Sequence, residues 1–195
     1  ELPGQEFISP YLGTYYYVLN NDRPPLDDAR VRKALALAID RELLVNTVSR
    51  AGEQVALSMV PDMTGYPAID GLGEDVAEAQ ALLAEAGFPG GSGFPELTLL
   101  YNTSEGHKAI GEFIQQQWLE NLGINITLEN QEWGTYLASR RAGEFDIARA
   151  GWIGDYQDPN TFLDMFVTGG AMNGGNYSDP EYDAIIEEAA QMPAG

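Results

Sequence analysis

The order of apolar and polar positions predicts a chain that alternates between strands and helices. Tyr15 to Asn20 is aromatic and β-branched and reads as a strand. The stretch Asn20-Asn21-Asp22-Arg23-Pro24-Pro25 reads as a turn. Val31, Leu35, Ala38 and Ile39 then recur at helical spacing, behind Asp27 or Asp28 as the capping carboxylate. Asp40 is placed to cap a second helix carrying Leu43, Leu44, Thr47 and Val48. Glycines and prolines from Gly52 to Gly73 break the pattern, so a long loop is expected there.

The second half repeats the alternation. Glu74 to Ala86 reads as a helix, with Gly87 at the left-handed C-terminal position and Phe88 able to fold back on Leu83. Residues 89–95 read as a loop inside the domain. Leu97 to Tyr101 reads as a strand. Gly106 to Asn121 reads as a helix with Ile110, Ile114 and Trp118 on one stripe. Ile124, Ile126 and Leu128 alternate with polar residues, a half-buried strand. A short helix over Trp133 to Ala142, a strand over Phe145 to Ala150 and a last helix from Asp179 to Gln191 complete the pattern. Strands that alternate with helices call for locally parallel pairing. The fold class expected is therefore α/β (α+β mixed): βαβ units around a mixed sheet, in one unit over 1–195.

Charge narrows the partners. Thirty acidic residues against ten basic ones give a formal net charge of −20. Such a chain repels phosphate backbones, so nucleic acid is not an expected partner. The acidity either attracts cationic ligands or serves solubility in a salty habitat, and both readings stay open. The two lysines, Lys33 and Lys108, fit salt adaptation or a GC-rich genome. There is no cysteine, so disulfides and thiolate metal sites are excluded. No apolar run approaches the ~18–20 residues of a membrane helix. The start at Glu1, without methionine, reads as a processed or trimmed product.

Few residues carry candidate chemistry. His107 is the only histidine, so a metal cluster would need carboxylates alone; no metal and no cofactor is expected. Asp155 and Asp158, three apart in a Gly/Pro-flanked loop, are either a solvated turn or a pair of acids for glycoside chemistry. The richest cluster is Arg149, placed at a strand end, followed by Gly151-Trp152-Ile153-Gly154-Asp155-Tyr156. Ligands of open α/β sheets gather outside the carboxyl ends of strands. By period-two counting Arg149 shares a face with Phe145 and Ile147, a costly place for an unpaired guanidinium. Either Arg149 pairs with Asp155, or the two hold the opposite ends of a zwitterion, as a peptide is. Trp133 and Trp152 are candidate walls for side-chain pockets, and Trp133 is equally readable as core.

Several segments carry a family resemblance: Tyr11-Leu12-Gly13-Thr14-Tyr15-Tyr16-Tyr17, Asp28-Ala29-Arg30-Val31-Arg32-Lys33-Ala34-Leu35, and Leu82-Leu83-Ala84-Glu85-Ala86-Gly87-Phe88. Glu129-Asn130-Gln131-Glu132-Trp133 and Phe145-Asp146-Ile147-Ala148-Arg149-Ala150-Gly151-Trp152 are the most specific, and Asn176-Tyr177-Ser178-Asp179-Pro180 closes the match. In joint order and spacing the chain resembles the oligopeptide-binding proteins of bacterial ABC importers, in the peptide/nickel class of solute-binding proteins.

The resemblance implies a lobe of the periplasmic-binding-protein type II-like fold, one of two that close on a ligand. It implies a periplasmic or extracellular cell-surface location, short peptides as ligands, and a permease with its ATPase as partners. It does not imply an enzyme. It assigns Asp155 to the peptide amino terminus, and Arg149 and His107 to carboxylates of peptides of different length. Arg140 and Trp133 would line the cleft, with Trp152 near the bound peptide; Arg141 beside Arg140 leaves two arginines for one place. A full member is more than twice this length, so the chain is expected to be a C-terminal lobe fragment without the first lobe and the final segment. Nickel, haem, an opine or an oligosaccharide as ligand, and a sensory role for the lobe, are the alternatives.

Overall fold

The computed structural model describes residues 11–66 and 69–192. A four-stranded mixed sheet organises them: β1 (Gly13–Leu19), β2 (Leu97–Asn102), β3 (Ile126–Gln131) and β4 (Ile147–Ile153), in the order β1-β4-β2-β3. β2 runs parallel to both β3 and β4, as the alternation of strands and helices requires. β1 runs antiparallel to β4, with Tyr17 opposite Arg149 and Thr14 opposite Trp152.

The helices are α1 (Ala29–Leu37), α2 (Arg41–Leu44), α3 (Val76–Glu85), α4 (Glu105–Leu122), α5 (Trp133–Ala142), α6 (Asn160–Leu163) and α7 (Pro180–Gln191). α2 widens into a π-helical turn over Val45–Ser49. Capping follows the expected chemistry. Asp28, Asp40 and Asp179 each accept backbone N–H bonds from the first turn they precede. α3 is capped by Asp75 and so starts two residues later than its pattern predicts. At its other end Gly87 adopts φ +99°, which only glycine takes without cost, and the Phe88 amide donates to the Leu83 carbonyl at 3.0 Å.

The larger buried cluster lies on one face of the sheet. Leu97, Leu99, Tyr101, Ile126 and Ile147 meet Val31, Leu35, Leu83, Ile114, Trp118 and Leu122 from α1, α3 and α4. Each fully buried aliphatic side chain contributes ~1.5–3 kcal/mol. The C-terminal carbonyls of α1 find tertiary donors where the helix has none left to offer. Trp118 Nε1 donates to Leu35 O at 2.9 Å, an Arg41 Nη1 to Ala36 O at 3.0 Å, and the Asp75 amide to Leu37 O at 3.0 Å.

A smaller cluster covers the opposite face: Leu100, Tyr136, Phe145 and Ala148, with Val18 and Leu137 against it. Phe145 therefore lies with Ala148 and not on the face of Ile147 and Arg149, as counting by two predicts. The reason is that β4 begins at Ile147, so Phe145 precedes the pleat. Asp146 is occupied there by tertiary bonds, accepting from the Thr98 amide at 3.0 Å and pairing with Arg23 at 3.1 Å. β4 also runs on to Ile153. Arg149 is thus mid-strand, and Gly151, Trp152 and Ile153 belong to the strand rather than to the loop after it.

Candidate functional site

Arg149 leaves β4 on the face of the larger core, and its guanidinium carbon lies 4.9 Å from the centre of the Tyr15 ring. Tyr15 in turn shares a 3.3 Å hydrogen bond with His107 Nδ1 and packs near Tyr17 in an edge-on arrangement at 5.8 Å. His107 reaches this point from the first turn of α4. Burial, reinforced by the positive charge of Arg149, holds its pKa below the usual histidine value. Burial likewise raises the pKa of the Tyr15 and Tyr17 hydroxyls.

The ion pair between Arg149 and Asp155 does not form among the described residues. The Arg149 side chain has no salt bridge there, and its Nε is buried without a hydrogen-bond partner. Asp155 is exposed at the turn that follows β4. Its backbone N–H donates to Thr161 Oγ1 at 3.0 Å. Gly154 before it is closely packed: an added Cβ would stand 2.8 Å from the Leu12 side chain and 3.1 Å from that of Thr161, and these would have to shift.

The opposite face of the sheet carries the second group. Tyr136, buried in α5, donates its hydroxyl to the Arg149 carbonyl and so ties the two faces at one residue. Trp133, 52% exposed, stacks on Tyr136 at 5.7 Å, which places it on the surface and not in the core. The Arg140 guanidinium carbon lies over the same ring, 5.8 Å from its centre. Its Nε is also buried and unpartnered, and Arg141 points to solvent, so Arg140 is the inward member of the pair. Beside it, Tyr16, Phe166, Met172, Gly174 and Tyr177 line a cavity of about 170 Å³. Trp152, half-buried, also has an unpartnered indole N–H.

Of the six expected residues, Arg149 and His107 are brought together, as are Trp133 and Arg140, on the other face. Asp155 and Trp152 stand at the end of β4. Tyr15 and Tyr136, which organise the two groups, were not singled out by sequence. Their signal was the run Tyr15-Tyr16-Tyr17 and the helical spacing of Trp133, Tyr136 and Arg140, but each needed its partner strand to be readable.

Asp158 is not placed for acid–base work. It accepts from Tyr66 Oη at 2.6 Å and from the Asn160 amide at 2.8 Å, and these bonds lower its pKa. A general acid needs the reverse shift.

Known proteins share this arrangement of elements. The chain is 40% identical over 199 residues to the periplasmic oligopeptide-binding protein OppA of Escherichia coli (strain K12), covering 98% of this chain and 36% of the relative. It is 41% identical over 198 residues to the periplasmic murein peptide-binding protein MppA of the same strain, covering 97% and 36%. The solved structure of the Escherichia coli murein tripeptide binding protein MppA superposes with a TM-score of 0.92 at 39% identity, covering 100% of this chain and 39% of that one. The chain thus spans little more than a third of the length of these relatives, all of which are binding proteins. The profile of the bacterial extracellular solute-binding proteins, family 5 Middle, matches residues 3–174, and the chain belongs to that family.

Proposed function

We propose that this chain is the ligand-facing lobe of an extracytoplasmic peptide-binding protein, one that captures short peptides between two lobes and delivers them to an ABC permease and its ATPase. One observation carries the reading. In a chain with thirty acidic residues, Arg149 and Arg140 are half-buried and lack a carboxylate partner among the described residues. An unpaired guanidinium at such a place is held for an incoming anion.

Asp155 offers the opposite charge at the end of the same strand. A free peptide carries both complements, an ammonium and a carboxylate. A sugar site would need aromatic platforms without charged ends, so the charges favour peptide over that alternative. Trp133, Trp152 and the cavity beside Arg140 provide apolar walls for side chains. Closure of a second lobe would exclude water and strengthen the contacts to the charged ends. The relatives' names place those proteins in the periplasm, and we place this one there or on the cell surface. We read the chain as a binder and assign it no catalytic residue.

Calorimetry on the full-length protein tests this. Asp155→Ala is expected to weaken peptides with a free amine far more than their N-acetylated counterparts. Equal losses for both would remove the assigned role.

A further inference from the structure

The loop segment over 51–66 reaches the region around the end of β4 at two places, one on β1 and one on the turn that follows β4. Thr14 Oγ1 donates to the Met59 carbonyl at 2.9 Å, and Thr14 is the strand partner of Trp152. Seven residues later, Tyr66 Oη donates to Asp158 Oδ2 at 2.6 Å across 92 positions of sequence. Met63, 7% exposed, anchors the turn that presents Tyr66, whose amide donates to the Met63 carbonyl at 3.1 Å.

Asp158 uses its other oxygen inside the turn that carries Asp155. Oδ1 accepts the Asn160 amide at 2.8 Å, and the Asp158 carbonyl accepts the Thr161 amide at 3.2 Å. Thr161, 2% exposed, then receives the Asp155 amide on its hydroxyl at 3.0 Å. The Gly154 amide closes the turn onto the Leu12 carbonyl at 2.9 Å. A continuous chain of bonds therefore runs from Tyr66 through Asp158 and Thr161 to the backbone of Asp155. Tyr66 is itself 42% exposed, so this bond and not core packing holds its ring in place.

We propose that Tyr66 and Asp158 are positioning residues for the Asp155 carboxylate, a clamp through which the loop segment over 51–66 sets the preference for ligands with a free amino terminus. The inference rests on the proposed role of Asp155. Its physical basis is pre-organisation. An exposed carboxylate on a mobile turn must be ordered by each ligand it binds, and a turn already fixed on both sides spares that cost. The Asp158 carboxyl stays ionised well into acid, because both its bonds favour the charged form. The clamp therefore persists across the neutral range.

The test uses the full-length protein, with trialanine and N-acetyl-trialanine as probes in calorimetry. Tyr66→Phe and Asp158→Asn are each expected to lose about three- to tenfold in affinity for trialanine and to leave the acetylated probe unchanged. The double variant is expected to lose no more than Asp158→Asn alone, since both changes break one connection. Asp155→Ala is measured beside them. If it discriminates the probes while Tyr66→Phe binds both like the wild type, or loses both equally, the clamp is wrong and the role of Asp155 stands. If Asp155→Ala does not discriminate the probes, that role is wrong and the clamp falls with it.

Discussion

The Arg149 guanidinium lies 4.9 Å from the centre of the Tyr15 ring, although its registered partner across the ladder is Tyr17. The side chain leans along the strand toward the C-terminal end of β4, where Tyr15 pairs with Gly151. The ring face supports the positive charge without neutralising it, at a typical worth of ~0.5–2 kcal/mol. A carboxylate in that position would have cancelled the charge. The tyrosine leaves it available.

Arg149→Lys keeps the charge and loses the planar fork. In the full-length protein the variant is expected to lose about ten- to a hundredfold in affinity for peptides with a free carboxylate, the worth of one or two charge-assisted bonds. Peptide amides are expected to change little. Calorimetry with matched acid and amide peptides reads the difference.

His107 predicts a pH dependence of stability. Its folded pKa lies below the ordinary histidine value of 6.5, lowered by burial and then by Arg149. Between the two values the unfolded chain binds the proton more readily than the folded one, so stability is fully present above 6.5 and declines as pH falls below it. His107→Gln is expected to flatten that decline. Urea midpoints of both proteins from about pH 8 to about pH 5 check it.

Trp118 joins α4 to α1 by its bond to Leu35 O, and it is 2% exposed. Trp118→Phe leaves a buried carbonyl without its donor and a gap where the indole was. The expected loss is about 2–4 kcal/mol, measured by urea unfolding.

Trp133 and Trp152 stand in the proposed site, and Trp118 lies in the core away from it. Peptide binding to the full-length protein is therefore expected to change the tryptophan fluorescence. Trp152→Phe is expected to remove most of that change and Trp118→Phe little of it.

The net charge of −20 sets a salt dependence. Among the described residues only four ion pairs bring opposite charges together, and their side chains are mostly well exposed. Exposed pairs of this kind are worth ~0–1 kcal/mol each. Raising salt from about 0.01 M to about 1 M shortens the screening length from roughly 30 Å to roughly 3 Å. Relief of self-repulsion is then expected to raise the urea midpoint, and a midpoint that fell would show that attraction dominates.

Much of the fold was legible in local pattern. Asp28, one of the two carboxylates offered for α1, and Asp40 cap the helices they were expected to cap, because a short carboxylate and the first-turn amides meet within a few residues. Gly87 terminates α3 for a similarly local reason. Phe145 and the true extent of β4 were not legible. A strand ends where its neighbours stop pairing, and Gly13 opposite Ile153 is a contact across most of the chain.

By itself, the sequence determined the alternation of elements, their caps, the excess of negative charge and the family. All of these follow from residue types at short spacing. Only the tertiary structure decided that Arg149 leans on Tyr15 instead of pairing with Asp155, that Arg140 serves the other face of the sheet, and that Asp158 is bound to Tyr66. Each of those outcomes depends on which strand lies beside β4 and on which loop folds over its end. The pairing of β1 with β4 joins residues more than a hundred positions apart, and no local periodicity encodes it.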